Sequence, residues 1–204
     1  MFKHEKEKTM KSIQFASAFL LLAASVAGAQ HTYEIDTAHS AAQFSVRHMM
    51  ISNVKGEFNK VSGTIVYDAK NLAAAKIDAV VDATTISTRE PKRDAHLKSA
   101  DFFDVAKYPS IIFHSKSVSN AGGKILVRGD LAMHGISKEV VLTVEPLSPE
   151  IKDPYGMLRA GTTASTKVSR KDWGLNWNAA LETGGVVVGD EVTITLDIEM
   201  TRKP

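Results

Sequence analysis

Three features of the sequence predict an all-β fold, built as an antiparallel barrel or a sandwich. Apolar and polar residues alternate with a period of two in eight segments, as in strands with one buried face. Turn-forming Gly, Pro and Asn residues separate most of these segments over distances that suit hairpins. Residues 84–116 are the exception, because they are polar and basic, contain Pro91 and become aromatic at Phe102 and Phe103. This stretch predicts a helical insertion over one end of the β-structure.

The predicted strands are bounded by the extent of the alternation. They cover residues 40–50, 57–67, 76–83, 110–118, 124–133, 138–145, 157–168 and about 192–200. Residues 53–56 are predicted as a turn, and Gly63 as a bulge or bend. An eight-stranded barrel can be filled by its own side chains or hold one slender ligand. Small residues at predicted inward positions favour the ligand, although bulky residues elsewhere leave a self-filled barrel open. These small residues are Ala42, Ala79, Ala83 and Gly129.

One short helix is predicted between the third and fourth strands. Pro91 is tolerated in the first turn of a helix and disfavours helical geometry at Glu90, so the helix should begin near Pro91. It should end near Ser99, before the two Phe residues.

Residues 1–29 have the pattern of a secretory signal peptide. Four Lys precede an apolar run at residues 13–26, and an Ala-Gly-Ala sequence follows as the cleavage site. The run is short for a membrane anchor. We therefore expect cleavage before Gln30, a periplasmic or otherwise secreted product, and a mature chain of one barrel domain over residues 30–204.

Charge and cysteine content exclude several functions. Removal of residues 1–29 leaves 21 basic and 21 acidic residues, and no nucleic-acid-binding motif is present, so no nucleic-acid partner is expected. The chain has no Cys, which excludes disulfides, thiol catalysis and a lipid-anchored Cys after the signal. We expect no integral membrane span in the mature chain.

Four blocks of sequence resemble one known family. They are DTAHSAAQFSVRHMMISNVKGEF at 36–58, RDAHLKSADFFDVAKYPSIIFHS at 93–115, GDLAMHGISKEVVLTV at 129–144 and SRKDWGLNW at 169–177. Together they are similar to the YceI-like family of exported, lipocalin-like barrels associated with binding polyisoprenoids and other long amphipathic lipids. The resemblance implies an eight-stranded antiparallel lipocalin-like barrel with a short helical insertion between strands 3 and 4. It also implies a long apolar tunnel, partly roofed by the insertion, and it offers no agreed catalytic residues to assign to this chain.

Apolar residues on the inward faces are the candidates for the tunnel wall. Any one of them could be ordinary core packing, whereas as a set in an eight-stranded barrel they favour a pocket. The candidates are Phe44, Val46, His48, Phe58, Ile77, Val81, Phe102, Phe103, Phe113, Trp173 and Leu175.

A basic cluster in the insertion is the candidate headgroup site. Arg can bind a pyrophosphate through two bonds, and a helix N-terminus offers unpaired N–H groups. The alternative is a solvated helix face, partly neutralised by Glu90, Asp94 and Asp101. The candidates are Arg89, Arg93, His96 and Lys98, and Lys92 belongs to the same basic cluster.

His39 and His48 are the histidines near the first predicted strand. Asp36 and His39 have D-x-x-H spacing, which indicates a structural hydrogen bond at a strand entry more often than a catalytic pair. His48 shares a face with Phe44 and Val46, so it is predicted to point inward. No arrangement of His, Asp or Glu predicts a metal site, and no catalytic residue or cofactor is predicted.

The sequence thus predicts a binding protein that sequesters or carries a long-chain amphipathic lipid inside the barrel, and a polyisoprenoid is the lipid expected. Residues 84–107 would act as a lid. Two alternatives remain open: an enzyme acting on a lipid in the same cavity through His39 or His48, and a self-filled barrel acting through its surface as an interaction or stress protein. A homodimer is left open as the assembly.

Overall fold

In a computed structural model, residues 30–182 and 184–204 are described, and all twelve strands belong to one sheet. The signal peptide predicted over residues 1–29 lies outside the described residues. The strands are β1 (His31–Ile35), β2 (Ala41–His48), β3 (Ser52–Phe58), β4 (Val61–Tyr67), β5 (Lys76–Asp82), β6 (Ile86–Ser87), β7 (Ser110–Ala121), β8 (Lys124–Met133), β9 (Ile136–Val144), β10 (Ile151–Lys152), β11 (Leu158–Ser169) and β12 (Val188–Arg202). One α-helix, α1 (Pro91–Lys98), lies between β6 and β7.

Eight strands close the sheet into an antiparallel barrel, in the order β1, β4, β5, β7, β8, β9, β11 and β12. Closure depends on the pairing of β11 with β12, which runs without interruption from Leu158 opposite Arg202 to Ser169 opposite Glu191. The other edge of β12 is divided between two strands. β1 pairs with its last residues, and β2 pairs with the stretch from Val188 to Asp197.

The predicted fold class and helix are confirmed. The predicted strand at residues 124–133 coincides with β8, and the helix begins at Pro91, where the side chain of Glu90 accepts a hydrogen bond from the Lys92 N–H. Pro at this position fixes a helical φ without removing a needed donor.

Three local predictions were wrong. β1 was not predicted, although it takes a place in the closed barrel. Residues 53–56 are not a turn but part of β3, which pairs with β2 on one side and β6 on the other. The predicted strand at residues 57–67 is therefore the end of β3 and the whole of β4, separated by Asn59 and Lys60.

Two of the small inward residues are small because of close packing rather than because they face a cavity. A Cβ at Gly129 would meet the ring of Phe113 at 2.5 Å and the backbone oxygen of His114 at 2.5 Å. Ala83 is 1% exposed within the core. Ala42 and Ala79, in contrast, line the barrel cavity.

Candidate functional site

The barrel contains an apolar cavity that follows the inward face of β12. Its wall on this strand is the alternating series Val192, Ile194, Leu196 and Ile198, which remain only half-buried because part of their surface faces the cavity. The cavity encloses about 240 Å³ that the centre of a water molecule could reach. A single water needs only ~10–15 Å³ on this measure. The interior is therefore not filled by its own side chains.

The lining of this cavity consists almost entirely of carbon. Four of its residues have polar side chains, and three of these four already have hydrogen-bond partners: Gln43 donates to Asp197 at 3.1 Å, the Thr162 hydroxyl donates to the Glu145 carbonyl at 2.7 Å, and Arg170 donates to backbone carbonyls. The fourth is Thr166. A ligand in the barrel would thus have to present hydrocarbon over most of its length.

An empty cavity of this size is expensive for the fold. Unfilled core volume lowers stability, because the side chains around it lose packing contacts. The net stability of a domain is only ~5–15 kcal/mol, so a small part of such a loss matters. Stability alone would favour larger side chains at Ala79 or Ala164, both of which line the cavity.

Nine of the eleven residues predicted for the tunnel line the cavity. They are Phe44, Val46, Phe58, Ile77, Val81, Phe102, Phe103, Phe113 and Leu175. The two others lie elsewhere. Trp173 is 1% exposed and packs in the core, where its Nε1–H donates to the Leu131 carbonyl at 3.0 Å. His48 lies at the end of β2, opposite Val188, and does not line the cavity.

An aromatic cluster after α1 covers one end of the cavity. The ring of Phe103 packs edge-on against Phe58, with 5.5 Å between the centroids. Phe102 is buried, and its ring centroid lies 5.3 Å from that of Trp177 and 5.0 Å from that of His96. The insertion and the segment around Trp177 therefore form one packed cover. Trp177 was not among the predicted site residues, because nothing local in the sequence distinguishes it from Trp173.

Arg170 fixes the segment that carries Leu175 and Trp177. Its buried guanidinium donates to the carbonyl oxygens of Leu175, of Trp177 at 3.0 Å and of Gly189 at 3.0 Å, and it forms an ion pair with Asp190 at 3.2 Å. Burial lowers the pKa of Arg170, and the charge of Asp190 opposes that effect. Arg170 was not among the predicted site residues, because its partners are backbone carbonyls that only the fold brings together.

The predicted headgroup residues do not form a single cluster. The Arg93 guanidinium is held by Thr88, donating to its hydroxyl at 2.7 Å and its carbonyl at 3.0 Å. His96 contacts Asp101 through Nε2 at 2.9 Å and packs within the aromatic cover. Lys98 is half-buried at the end of α1.

Two exposed cations at the start of α1 have no side-chain partner among the described residues. These are Arg89 and Lys92, and among the described residues neither side chain has a hydrogen-bond or ion-pair partner. The Glu90 carboxylate lies between them in sequence and accepts from the Lys92 N–H at 3.2 Å. Any anionic group bound here would compete with this carboxylate for the helix N-terminus.

Asp36 and His39 form the predicted hydrogen bond, at 2.9 Å, as part of a network at the other end of the barrel. Arg159 donates to Asp36 at 2.6 Å, to Asp153 at 2.7 Å and to Glu199 at 2.5 Å. Hydrogen bonds from His39 and Arg159 lower the pKa of Asp36 to about 2, and the same contact with Asp36 raises the pKa of His39.

A cationic side chain already lies between the carboxylates of this network. Ligand atoms of Asp36, His39 and Glu199 lie within 4.8 Å of one another, a spacing that a cation could bridge. The Arg159 guanidinium already supplies the positive charge between the carboxylates. None of the five residues of this network, Asp36, His39, Asp153, Arg159 and Glu199, lines the cavity.

Comparison with sequences of known families places this barrel among relatives. A family model described as the YceI-like domain matches residues 33–200. A UPF0312 protein of Vibrio parahaemolyticus is 38% identical over 168 residues, which cover 80% of this chain and 88% of the relative. Protein YceI of Escherichia coli O157:H7 is 34% identical over 169 residues, covering 83% of this chain and 87% of the relative.

Solved structures share the same architecture. A YceI protein of Campylobacter jejuni superposes with a TM-score of 0.64 at 28% identity, covering 77% of this chain and 90% of that one. BcnA of Burkholderia cenocepacia gives a TM-score of 0.70 at 20% identity, over 81% and 98% of the two chains. A polyisoprenoid binding domain from Saccharophagus degradans gives 0.59 at 17% identity, over 84% and 98%. The last two likenesses support the fold alone. In the part of the chain described here, no helix is long and apolar enough to cross a bilayer.

Proposed function

The chain belongs to the YceI-like family, and from that premise we propose that it binds one long-chain amphipathic lipid, isoprenoid in chemistry, inside the barrel. The observation that carries this proposal is the hollow, carbon-lined interior along β12. The description of the Saccharophagus degradans relative as a polyisoprenoid binding domain is in keeping with it.

Affinity would come from burial of the lipid tail. Transfer of apolar surface out of water contributes ~25 cal/mol per Å², so a few hundred Å² of prenyl chain gives several kcal/mol before ordering costs. The tail would also contact side chains, such as Ile194 and Leu196, that are only partly buried because they face the cavity. Binding is the chemistry that this interior favours, because the lining formed by the described residues consists almost entirely of carbon.

The polar head would lie at the start of α1. The side chains of Arg89 and Lys92 have no partner among the described residues, whereas Arg93 and His96 are engaged by Thr88 and Asp101. We assign the headgroup contact to Arg89 and Lys92 and a supporting role to Arg93. Residues 84–107, closed by Phe102 and Phe103, would act as the lid over the tail.

The biological role we propose is that of a periplasmic carrier or sequestering protein. Export would follow from the signal peptide predicted at residues 1–29, leaving residues 30–204 as a single mature domain. Association of two copies into a homodimer stays a prediction.

Filling the cavity tests the proposal. Ala79→Leu places three additional carbon atoms in the cavity, whereas Val80→Leu changes the neighbouring outward residue, which is 38% exposed. We expect Ala79→Leu to weaken binding of dansyl-labelled geranylgeraniol about tenfold and to stabilise the ligand-free protein by ~0.5–2 kcal/mol, as cavity filling commonly does. Val80→Leu should change neither value. Equal affinity in the two variants, measured by fluorescence titration, would count against a ligand in the barrel.

A further inference from the structure

An apolar turn projects from the covered end of the barrel. Met49, Met50 and Ile51 connect β2 to β3 and are 39%, 53% and 76% exposed. The neighbouring loop adds Val186, which is 36% exposed, and Met50 packs against Gly185 of that loop. Contiguous exposed apolar residues of this kind mark interaction sites in otherwise soluble domains.

The conformation of this turn makes its sequence unusual. Met49 and Met50 have φ values of 49° and 62°, and the Ile51 N–H donates to the His48 carbonyl at 3.0 Å. Two consecutive positive φ values in a hairpin are typical of a type I′ turn, for which Asn-Gly is strongly preferred. A left-handed conformation is unfavourable for residues with a Cβ such as Met. Folding stability therefore does not explain why two Met residues occupy this turn.

The turn continues directly from the cavity wall. Val46 lines the cavity three residues before Met49, a distance of about 10 Å along a strand. The Met49 N–H donates to the Val187 carbonyl at 2.8 Å, one residue before Val188, which also lines the cavity. The exposed apolar surface and the interior thus meet at one end of the barrel.

Unpaired cations lie behind the apolar turn. Arg47 donates to the Met50 carbonyl at 3.0 Å, a neutral partner, and Lys55 lies on the adjacent strand, where the pairing sets it opposite Ser45. Within the described part of the chain, neither side chain forms an ion pair. Glu182 is the acidic residue of the neighbouring loop. An apolar tip backed by cations is the arrangement that binds the interface of an anionic bilayer.

We propose that the turn of Met49, Met50 and Ile51 is a membrane-docking tip, which inserts into the surface of an anionic phospholipid bilayer while Arg47 and Lys55 contact the headgroups. Docking in this orientation turns the adjacent end of the cavity toward the lipid phase. The proposal does not require a lipid in the barrel, because its test measures attachment to vesicles alone.

Vesicle flotation of the mature protein tests this tip. The protein should float with phosphatidylcholine vesicles that contain phosphatidylglycerol and less with phosphatidylcholine alone. Ile51→Ser should weaken partitioning about tenfold, since it removes the most exposed apolar side chain of the tip. The matched control is Ile151→Ser, because Ile151 is 65% exposed at the opposite end of the β11–β12 pair and should leave partitioning unchanged. Arg47→Gln should reduce about fivefold the additional partitioning that phosphatidylglycerol gives over phosphatidylcholine alone.

A double substitution separates docking from folding. Met49→Asn with Met50→Gly supplies the residues that a type I′ turn prefers, so the melting temperature should rise while vesicle binding falls. The proposal would be overturned if the unaltered protein does not float, or if Ile51→Ser and Ile151→Ser weaken flotation equally. It would also be overturned if Ile51→Ser converted a dimer to a monomer in sedimentation, since the patch would then be an interface between two copies.

Discussion

The two ends of the barrel are stabilised in different ways, although the same two long strands, β11 and β12, run from one to the other. At the end near Leu158 and Arg202, Met200 is 0% exposed, and ion pairs connect neighbouring strands outside it. At the end near Ser169 and Glu191, the strands surround the cavity, and an aromatic cover takes the place of a packed core.

This difference shows how one strand can serve stability and binding at once. Inward residues of β12 are fully buried at Met200 but only half-buried from Ile198 to Val192, because the latter face the cavity. The closed end therefore stabilises a fold whose other end is left hollow. Each prediction below changes one end and leaves the other as its reference.

The largest expected effect is on stability at the closed end. Met200→Ala should lower the free energy of unfolding by ~2–5 kcal/mol, the usual cost of removing a fully buried large side chain. Ile194→Ala on the same strand should cost less, since its neighbours already face empty space. Urea denaturation of both variants measures the difference. Equal losses would mean that the cavity wall is packed as tightly as the closed end.

Arg170 offers the corresponding test at the hollow end. Arg170→Gln should lower the free energy of unfolding by ~2–3 kcal/mol, because it leaves buried carbonyl oxygens without a donor. Amide hydrogen exchange should increase around Leu175 and Trp177, whose carbonyls the guanidinium binds, and should stay unchanged around Met200. Uniform exchange over the whole barrel would contradict a local role for this residue.

The lid should control how long a ligand stays bound. Phe102→Ala together with Phe103→Ala removes the rings that pack on Trp177 and Phe58, and dissociation of labelled geranylgeraniol should become about tenfold faster. Tyr155→Ala, at a residue 91% exposed and far from the cover, is the control and should not alter dissociation. Unchanged retention in the double variant would exclude the lid.

The smallest effect is a dependence on acid at the closed end. The folded protein lowers the pKa of Asp36 from 3.8 to about 2, so this carboxylate stabilises the fold above about pH 4 and ceases to do so as the pH falls toward 2. Asp36→Asn should remove that part of the loss while leaving ligand binding unchanged. Free energies of unfolding measured across this pH range provide the check. An identical acid profile in both proteins would show that the network is not coupled to folding.

The sequence predicted best where the alternation was strict. β8 has apolar residues at every second position except Gly129, and it coincides with its predicted bounds. β1 was missed because it spans only five residues, and its place in the barrel is given by β4 and β12, which are distant in sequence. Gly56 suggested a turn, yet it is a strand residue whose missing side chain leaves room for the ring of Phe44.

Periodicity also determined how much of the candidate site could be predicted. Inward-facing apolar residues followed from periodicity, and most of those predicted do line the cavity. Periodicity does not apply to the irregular segment that holds both Trp residues, so it could not separate the core residue Trp173 from Trp177 in the cover. Nor could it show that Thr88 already engages Arg93, because that contact depends on the entry angle of α1.

Native mass spectrometry of the protein, expressed with its own leader in a Gram-negative host and followed by organic extraction, tests the central proposal most directly. We predict a mature chain that begins near Gln30 and carries one discrete additional mass, identified on extraction as a prenyl or other long-chain lipid. A protein that is empty as isolated and also rejects added prenyl lipids would contradict the proposal, and its function would then have to lie on the outer surface of the barrel.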